Sequence, residues 1–286
     1  MRYNAAIIGA GKLGTALAVK LLSTDMLNSL MVRSEKSRSR VISQNIPAAK
    51  ITDNYDTGNA DIVFLAIPDS AIRNTAEKLA SSKNKKALFI HLSGSKGIDE
   101  LSALAASGYR TAACHPYQAF YDTSPEAFEG IAWGIECTEA DRSEIAEIIA
   151  ILGGKPFYLD EKSASRKALY HLSAVVSSNI LAAVLQYAKR LADELGLDPE
   201  AFIKPISSHT LEHTLNNSDT RFNITGPLAR GDIKVIEEHI HELKENRPLL
   251  ESYLHMTNAL SILAYENSLI SQDFFDNLSS LIKKHL

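Results

Sequence analysis

Short continuous apolar runs alternate with amphipathic stretches through the first half of the chain. Such runs are typical of strands covered on both faces, and spacings of three and four residues are typical of helices. The pattern predicts strands just before Gly9 and at residues 29–32, 60–67, 87–92, 111–114, 131–137 and 156–159. Between most of them it predicts helices, most clearly at 71–81, 97–106 and 141–152. This alternation predicts an α/β fold with a doubly wound, mostly parallel sheet.

Beyond about residue 161 the pattern is helical only. One long helix is predicted over 161–195, ending at Gly196, because glycine commonly occupies the left-handed position after a helix. Asp198 and Pro199 are the residue types expected where the next helix begins. Later helix starts are predicted at Gly226-Pro227, at Asp232, near Pro248 and near Ser271. The chain is therefore divided into an α/β domain over 1–160 and an all-α domain over 161–286.

Composition narrows the class of protein. The 286 residues carry a net charge of −4 and are 45% apolar, which does not indicate a nucleic-acid or anionic-membrane surface. The apolar runs are short and the first strand begins almost at once, so we expect neither a transmembrane helix nor a signal peptide. Cys114 and Cys137 fall in predicted strands and are expected to be buried apolar residues, without a disulfide or a zinc site. A cytoplasmic location is the simplest expectation.

The first apolar run leads directly into the glycine motif Gly9-Ala10-Gly11-Lys12-Leu13-Gly14, and a helical pattern follows. In a dinucleotide-binding fold the first glycine permits a tight turn and the second lets the pyrophosphate approach the backbone. The third lets helix and strand pack closely. Free N–H groups at the start of the helix then bind phosphate. A glycine-rich turn also occurs in other α/β proteins, but strand, glycines and helix together predict a Rossmann domain.

The end of the second strand predicts which nicotinamide cofactor binds. NAD-specific folds carry an acidic residue there, about 20 residues past the glycines, which binds the ribose 2′-hydroxyl. This chain has Arg33, expected to bind a 2′-phosphate in bidentate fashion, and Ser34, expected to donate a further hydrogen bond. Lys36 and Arg38 add positive charge, and the acid Glu35 comes one residue late. We therefore expect NADP rather than NAD, the alternative being a solvated charged loop.

Two further strand ends contribute to the predicted cofactor site, because ligands bind at the carboxyl ends of parallel strands. Ile67-Pro68-Asp69 follows one strand, and Asp69 is expected to cap the helix after it. Ser93 follows the next strand, and Gly94 beside it permits close approach of a ligand. These residues complete the predicted cofactor-binding set with the glycine motif, Arg33 and Ser34.

Hydride transfer also needs a group that moves a proton to or from the reacting oxygen or nitrogen. His115 follows another strand at the same sheet edge and is one candidate, although loop histidines are often structural. On the long predicted helix, at about 100° per residue, Lys167, His171 and Ser178 fall within about 40° of one line. This line predicts an active-site wall in which Lys167 and His171 are catalytic and Ser178 binds substrate. Asn179 lies about 120° away from it. The alternative is a helix whose lysine and histidine are structural.

Residues 225–232 are rich in turn formers and are expected to hold two helix starts, capped by Thr225 and Asp232. Arg230 between them is expected to bind a substrate carboxylate, although a structural connection accounts for the segment equally well. His209 and His213 lack a metal-binding pattern, so no metal is expected. Wide apolar faces on the last helices predict a homodimer through them, with a plain helical core as the alternative. These faces include Leu254, Leu260, Ile262 and Leu263.

Six motifs together resemble a bacterial family of predicted oxidoreductases in which a Rossmann-like domain precedes a helical domain of unknown function. They are GAGKLG (9–14), AIPD (66–69), HLSGS (91–95), CHPYQAF (114–120), KALYHLSAVVSSN (167–179) and TGPLARGD (225–232). The first half is also similar to pyrroline-5-carboxylate reductase, prephenate dehydrogenase, ketopantoate reductase and the deazaflavin-dependent NADP oxidoreductases. The resemblance implies a helical domain like the C-terminal domain of 6-phosphogluconate dehydrogenase.

Two site assignments follow from this resemblance. Prephenate dehydrogenases have a serine after the fifth strand and an active-site His-Pro further on, and Ser93 and His115-Pro116 match that spacing. Hydroxyacid dehydrogenases and ketopantoate reductase have an active-site lysine on the first long helix, with an asparagine one turn later. Lys167 matches the lysine, but His171 stands where the asparagine is expected. This departure argues against a hydroxyacid dehydrogenase and makes His171 a candidate proton donor.

The sequence thus predicts an oxidoreductase that transfers hydride between NADP and a small carbonyl, imine or hydroxy acid. Lys167 is expected to polarise or protonate the substrate oxygen, with help from His115 or His171, while Arg230 holds a carboxylate. The alternative is a non-catalytic NADP-binding sensor of redox state. Such a sensor has no need of Lys167 and His171 on one helix face.

Overall fold

One eight-stranded sheet organises the N-terminal part of the chain. The computed structural model describes residues 3–55, 57–81, 86–216 and 222–286. The strands are β1 (Ala5–Ile8), β2 (Leu27–Met31), β3 (Ile51–Thr52), β4 (Ile62–Leu65), β5 (Leu88–His91), β6 (Arg110–Pro116), β7 (Ala132–Glu136) and β8 (Lys155–Tyr158). Their order in the sheet is β3-β2-β1-β4-β5-β6-β7-β8, and β6 and β7 are the one antiparallel pair of neighbours in it.

Both faces of this sheet are covered, which explains the continuous apolar strands. Ile62 and Phe64 of β4 pack into one apolar cluster, and the alternating residues Val63 and Leu65 pack into another. The flanking helices are α1 (Lys12–Ser23), α2 (Glu35–Ser43), α3 (Ile72–Leu79), α4 (Ser102–Ala106) and α5 (Arg142–Ile151). The predicted doubly wound, mostly parallel sheet is confirmed.

The order of the strands reverses between β1 and β4, which are neighbours in the sheet. The chain leaves β1 toward α1 and leaves β4 toward α3, and in open α/β sheets such a reversal opens a crevice at the carboxyl ends of the strands. The glycine motif follows β1, and residues 66–69 follow β4. The fold therefore brings two of the predicted cofactor-binding segments to one crevice.

The single helix predicted over 161–195 is wrong. The structure instead has α6 (Glu161–Ala164), α7 (Lys167–Val175), a π-turn (Val176–Ile180) and α8 (Leu181–Glu194). Asp160 caps α6 by accepting a hydrogen bond from the N–H of Ser163, and Arg166 interrupts the helix with φ −119° and ψ 40°. Because the break at Arg166 is short, the spacing of apolar residues along the segment stays almost intact and still resembles that of one continuous helix. The predicted end at Gly196 is confirmed, since this glycine has φ +66°.

The chain divides into two compact units, Met1–Leu181 and Ala182–Leu286. The sequence places the domain boundary at residue 160, whereas the first unit extends through α7 and the π-turn. These two segments therefore belong to the same unit as the sheet. The assignment of separate roles to 1–160 and 161–286 stays a prediction.

The second unit is helical and has its own core. Besides α8, it contains α9 (Pro199–Asn216), α10 (Ile233–Leu243), α11 (Arg247–Glu266) and α12 (Gln272–His285). The side chains of Asn246 and Ser271 cap α11 and α12 by accepting backbone hydrogen bonds, close to the predicted starts. The core consists of Leu228, Ile236, Ile240, Leu250, Leu254, Ala264, Leu278 and Ile282.

The turn-rich segment of the second unit differs from its prediction. No helix begins after Thr225 in this described segment, because Gly226 has φ +95° and turns occupy residues 227–231. Asp232 does precede α10, but its side chain makes no capping hydrogen bond. Arg230 is exposed in the turn. Its role as a carboxylate ligand stays a prediction.

By length and composition alone, the helical stretch Lys167–Glu194 is one that could cross a membrane. It is the single such stretch among the described residues, and none of its most apolar window is buried within the protein. A continuous apolar stretch of this kind also fits a helix that packs against another protein surface. The expectation that no segment crosses a membrane therefore stays a prediction.

Candidate active site

The glycine motif has the backbone geometry that a dinucleotide requires. Gly9 has φ +110°, and a Cβ there would lie 2.3 Å from the carbonyl oxygen of Ala66. A Cβ on Gly14 would lie 2.1 Å from the carbonyl oxygen of Gly9, so α1 approaches the loop closely. A Cβ on Gly11, in contrast, would meet no described atom within 4 Å. The motif therefore combines a tight turn, close packing and open space at the start of α1.

Three adjoining cavities lie in a row among the described residues of the first unit. The Arg33 cavity, about 260 Å³, extends from the glycine loop to Arg33. The loop cavity, about 320 Å³, extends from the start of α1 to His115 and His171. The Asn179 cavity, about 280 Å³, extends from these histidines to Asn179 in the π-turn. Gly11, Ala66 and Ile67 line both the first and second cavities, and His115, Gln118 and His171 line both the second and third.

All the predicted cofactor-binding residues line the first two cavities. The loop cavity is lined by Gly11, Lys12, Leu13, Gly14, Ile67, Asp69 and Ser93. The Arg33 cavity is lined by Gly9, Ala10, Arg33, Ser34 and Pro68. The structure thus brings together residues that the sequence separates by more than eighty positions. Their binding to a cofactor stays a prediction.

The predicted phosphate-binding end is built on the start of α2. Arg33 is exposed, and its guanidinium donates to the hydroxyl of Tyr55 over 3.4 Å. Ser34 caps α2, since its hydroxyl accepts from the N–H of Ser37 at 3.2 Å and donates to the Ser37 hydroxyl at 2.9 Å. The serine is therefore engaged within the helix cap rather than free to donate. Ser37 also lines this cavity, although no motif in the sequence pointed to it.

Two contacts fix the loops around the crevice. Asp69 does not cap the following helix as predicted, because Pro68 holds the capping position and the Asp69 carboxylate accepts from the Ser95 hydroxyl at 2.5 Å. That bond joins the segment after β4 to the segment after β5. Arg40 of α2 donates to the carbonyl oxygen of Ala10 at 2.8 Å, which joins α2 to the glycine loop. Neither contact has a signal in the sequence.

Two imidazoles meet beside Gly94 in the loop cavity. His115 is the last residue but one of β6 and His171 lies on α7, with ring centroids 5.9 Å apart. A Cβ on Gly94 would lie 2.7 Å from both His115 Nε2 and His171 Nδ1, so both rings pack against this glycine and leave no room for a side chain there. His171 Nδ1 is buried and has no hydrogen-bond partner among the described residues. The missing side chain of Gly94 is what leaves room for both rings.

Burial keeps His115 uncharged. The side chain is 8% exposed, and burial lowers the pKa of His115 to about 3, with the nearby charges of Lys167 and His171 acting in the same direction. Its Nδ1 lies 3.0 Å from the hydroxyl of Tyr170 on α7. A neutral imidazole has one N–H donor and one acceptor nitrogen. His115 therefore takes part in hydrogen bonds at neutral pH without a positive charge.

Lys167 lies at a different place from the one predicted. Its ammonium group is 3.0 Å from a carboxylate oxygen of Glu136 on β7, and both side chains are largely buried. Neither atom makes an aligned hydrogen bond with a described residue, so the contact is an ion pair without that further support. Lys167 lines none of the three cavities, whereas His171, one turn later, lines two. A catalytic role for Lys167 stays a prediction.

The π-turn changes which helix residues share a face. Ser178 lines the Asn179 cavity as predicted, but Asn179 lines it too. A π-turn closes i to i+5 hydrogen bonds, so it takes more residues per turn than the ideal helix on which the angles were based. The Ser178 hydroxyl lies 2.7 Å from the carbonyl oxygen of Ala174 and 2.8 Å from Asn179 Oδ1. Asn179 is therefore a candidate site residue that the helical pattern placed elsewhere.

Two family models match the chain. Residues 1–116 match the Rossmann-like domain, and residues 131–260 match the Domain of unknown function (DUF2520). The second match begins just before β7, so it includes the last two strands of the sheet as well as helices. No curated protein matches the chain significantly.

Solved structures share this fold at low sequence identity. A proposed NADP oxidoreductase from Bacteroides fragilis is 22% identical with a TM-score of 0.75, over 90% of this chain and 97% of its own. A pyrroline-5-carboxylate reductase from Coxiella burnetii is 18% identical with a TM-score of 0.56, over 100% of this chain and 98% of its own. A reductive aminase from Aspergillus terreus, in complex with NADPH and ethyl-5-oxohexanoate, is 14% identical with a TM-score of 0.59, over 99% of this chain and 93% of its own. With its two matched domains, the chain combines a Rossmann-like domain with a DUF2520 domain, as the resemblance of its motifs predicted.

Proposed function

We propose that the protein is an NADP-dependent oxidoreductase that transfers hydride between NADP(H) and a small carbonyl, imine or hydroxy-acid substrate. The row of three cavities carries this proposal, because it connects the glycine loop to the two imidazoles and then to the π-turn. In this arrangement the first two cavities hold the dinucleotide and the third holds the substrate. His115 and His171 line the boundary between them.

The residues present fit a dinucleotide. The N–H groups of Lys12, Leu13 and Gly14 belong to the first turn of α1, which has no side-chain cap, and the open space at Gly11 adjoins them. Such N–H groups bind phosphate oxygens. Arg33, with the Ser37 hydroxyl at the start of α2, supplies the charge and the donors that a 2′-phosphate needs. When bound, the nicotinamide supplies or accepts the hydride.

The two histidines supply the hydrogen bonds and the proton. A substrate oxygen or nitrogen bound in the loop cavity lies beside both imidazoles, because His115, His171 and Gly94 all line that cavity. His171 exchanges the proton with the substrate, and neutral His115 binds the same atom. Lys167 acts through its charge, because its ammonium group pairs with Glu136 and lines none of the three cavities, yet lowers the pKa of His115.

Several structural neighbours support an oxidoreductase of this kind. The Aspergillus terreus enzyme is a reductive aminase whose structure holds NADPH and a keto ester, and the Coxiella burnetii enzyme reduces a cyclic imine by its name. Both share the fold of this chain over nearly its whole length. The choice of a small carbonyl or imine substrate for this protein is drawn from them and from the two imidazoles.

The proposal is tested by cofactor titration followed by a substrate screen. NADPH is expected to bind more tightly than NADH, as measured by the fluorescence of the reduced nicotinamide. A panel of ketones, keto acids and cyclic imines is then followed by loss of NADPH absorbance. His171→Ala should abolish turnover while NADPH still binds, and His255→Ala, at an exposed position on α11, should preserve it. Absence of NADPH binding refutes the proposal, and binding without turnover of any panel member favours a redox sensor.

We also propose that the chain forms a homodimer in the cytoplasm, with helical surfaces as the interface. Leu169, Leu172, Val176 and Ile180 follow one another at helical spacing and are each 48–50% exposed. Ile262 and Leu263 on α11 are 40% and 45% exposed, whereas Leu254 lies in the core of the second unit. Light scattering should give twice the chain mass of 31.3 kDa. A monomeric mass at micromolar concentration would contradict the proposal.

A further inference from the structure

The hydrogen bond between Tyr170 and His115 is positioned by three separate elements. The Tyr170 hydroxyl comes from α7 and lies 3.0 Å from His115 Nδ1 at the end of β6. The same hydroxyl packs against Gly134 of β7, where a Cβ would come within 2.3 Å of it. Gly134 is the register partner of His115 in the antiparallel pair. The phenol therefore reaches the imidazole only because this strand position carries no side chain.

The direction of this hydrogen bond follows from the groups around it. Burial raises the pKa of Tyr170, with the nearby Tyr117 phenol and Glu136 carboxylate acting in the same direction, so the Tyr170 phenol keeps its proton at neutral pH. His115 is neutral under the same conditions. The Tyr170 oxygen accepts a hydrogen bond from the backbone N–H of Gly134, and His115 Nδ1 is the acceptor near its hydroxyl among the described residues. The phenol therefore donates to Nδ1, and the single ring proton of His115 is on Nε2.

The other nitrogen of His115 faces the cavity. Nε2 and Cε1 are the ring atoms nearest to Gly94, which lines the loop cavity, and no described residue makes a hydrogen bond to Nε2. The charged and titratable groups around the ring are Lys167, His171, Asp69, His91, Tyr117 and Tyr170. Of these six residues, Tyr170 alone is hydrogen-bonded to His115 in the described structure. The Tyr170 phenol therefore sets the tautomer through Nδ1, and the resulting proton on Nε2 is available to a ligand on the other side of the ring.

We propose that Tyr170 is a positioning residue that holds His115 as the Nε2–H tautomer, so that His115 presents a neutral hydrogen-bond donor to a substrate carbonyl oxygen. The second clause rests on the proposed function. A carbonyl oxygen accepts this bond, whereas a protonated iminium nitrogen is itself a donor and would meet the Nε2–H unfavourably. Among the substrate classes considered above, the site therefore favours ketones and aldehydes over iminium ions.

The proton balance of the reaction is consistent with this assignment. When hydride adds to the carbonyl carbon, the π electrons of the C=O bond move to the oxygen, which then takes up one proton. His115 keeps its Nε2 proton and stabilises the developing charge, as a fixed donor does in an oxyanion site. The transferred proton passes from solvent to the oxygen through the imidazole of His171, which lines the same cavity.

Nitrogen NMR on the full-length protein tests the tautomer without any substrate. Histidine labelled with ¹⁵N, with His115 assigned from the spectrum of His115→Gln, should show a protonated Nε2 and an unprotonated Nδ1 at pH 7.5. Tyr170→Phe should move both shifts toward the values of a tautomer mixture. Tyr117→Phe is the matched control, because its ring lies 5.9 Å from His115 but its hydroxyl bonds to Ser173. It should leave the His115 shifts unchanged.

A wild-type spectrum with the proton on Nδ1, or an unchanged spectrum in Tyr170→Phe, overturns the proposal. The wild-type spectrum is decisive even if the variant does not fold. Where turnover is found, Tyr170→Phe should lower kcat/KM for a ketone by roughly two- to tenfold, the loss expected for one neutral hydrogen bond. Its affinity for NADPH should not change. Failure of the wild type to bind NADPH would refute the proposed function and leave the tautomer standing.

Discussion

His115 should make the first unit less stable as the pH falls below neutral. Burial lowers its pKa to about 3 in the folded protein, whereas an unfolded histidine has a pKa of about 6.5. Between these values the unfolded chain binds a proton at this position and the native protein does not. Stability is therefore at its full value above about pH 6.5 and is lost progressively as the pH falls toward about 3.

The size of the effect depends mainly on the unfolded pKa. At pH 5 the unfolded imidazole is protonated about thirty times more often than it is neutral, which lowers the unfolding free energy by about 2 kcal/mol relative to pH 7.5. The result is insensitive to the native pKa as long as this lies well below 5. Burial also lowers the pKa of His91, so the wild-type protein is expected to lose more than this amount.

The substitution His115→Gln isolates the contribution of one ring. Glutamine does not titrate, so the loss of unfolding free energy between pH 7.5 and pH 5 should be about 2 kcal/mol smaller in the variant. Any pH-independent cost of the substitution cancels in this comparison. Urea unfolding followed by the fluorescence of Trp133 measures it, because Trp133 is the one tryptophan of the chain and is fully buried in β7.

An exposed histidine in the second unit provides the control for this comparison. His255→Gln removes one exposed imidazole in the second unit and should keep the wild-type dependence on pH. If His115→Gln loses as much stability as the wild type between pH 7.5 and pH 5, His115 accepts a proton in the folded protein. Neither its neutral state nor its role as a neutral donor at the cavity would then survive.

Three further outcomes are expected. Arg33→Ala should raise the Kd for NADPH roughly ten- to hundredfold and leave the Kd for NADH unchanged, as measured by fluorescence titration. The control Arg38→Ala lies outside the cavity lining and should change neither Kd. Equal losses of affinity for both cofactors in Arg33→Ala would contradict the 2′-phosphate assignment. Gly11→Ala should keep the wild-type urea midpoint but lose NADPH binding. Gly14→Ala should lower the free energy of unfolding by about 1–3 kcal/mol, because its Cβ clashes with the carbonyl oxygen of Gly9. A Gly11→Ala variant less stable than Gly14→Ala would refute the motif geometry. Lys167→Met should lower the free energy of urea unfolding by about 3–5 kcal/mol, because it leaves the buried carboxylate of Glu136 unpaired. Adding Glu136→Leu to the same chain should recover most of this loss. A Lys167→Met variant as stable as the wild type would show that the ion pair is not buried.

Local signals made the first half of the fold predictable. Buried strands such as β4 are apolar at every position, and the turn at Gly9 needs a residue that tolerates φ +110°. Both constraints act within a few residues, so they leave a pattern in the sequence. The two-residue strand β3 is too short to leave one. The site residues near Gly9 were predictable for the same reason.

Contacts between distant segments could not be predicted in this way. Lys167 shares a helix with His171, yet its ammonium group pairs with Glu136, thirty-one positions earlier on a strand. Likewise, Tyr170 reaches His115 through the space left by Gly134, and no spacing rule connects those three positions. Helical periodicity identifies a face but does not identify what that face contacts.

The departures from local regularity coincide with the row of cavities. The π-turn rotates Asn179 toward the cavity that His171 also lines, and Gly94 leaves the space in which the two imidazoles meet. An extra helical residue and a missing side chain each give up some regular packing, and neither is needed for the sheet or its core. Protein sequences usually violate local rules where a ligand must fit. These two independent departures lie in neighbouring cavities that share His171, next to the glycine loop, and this is a physical reason to propose the reaction there.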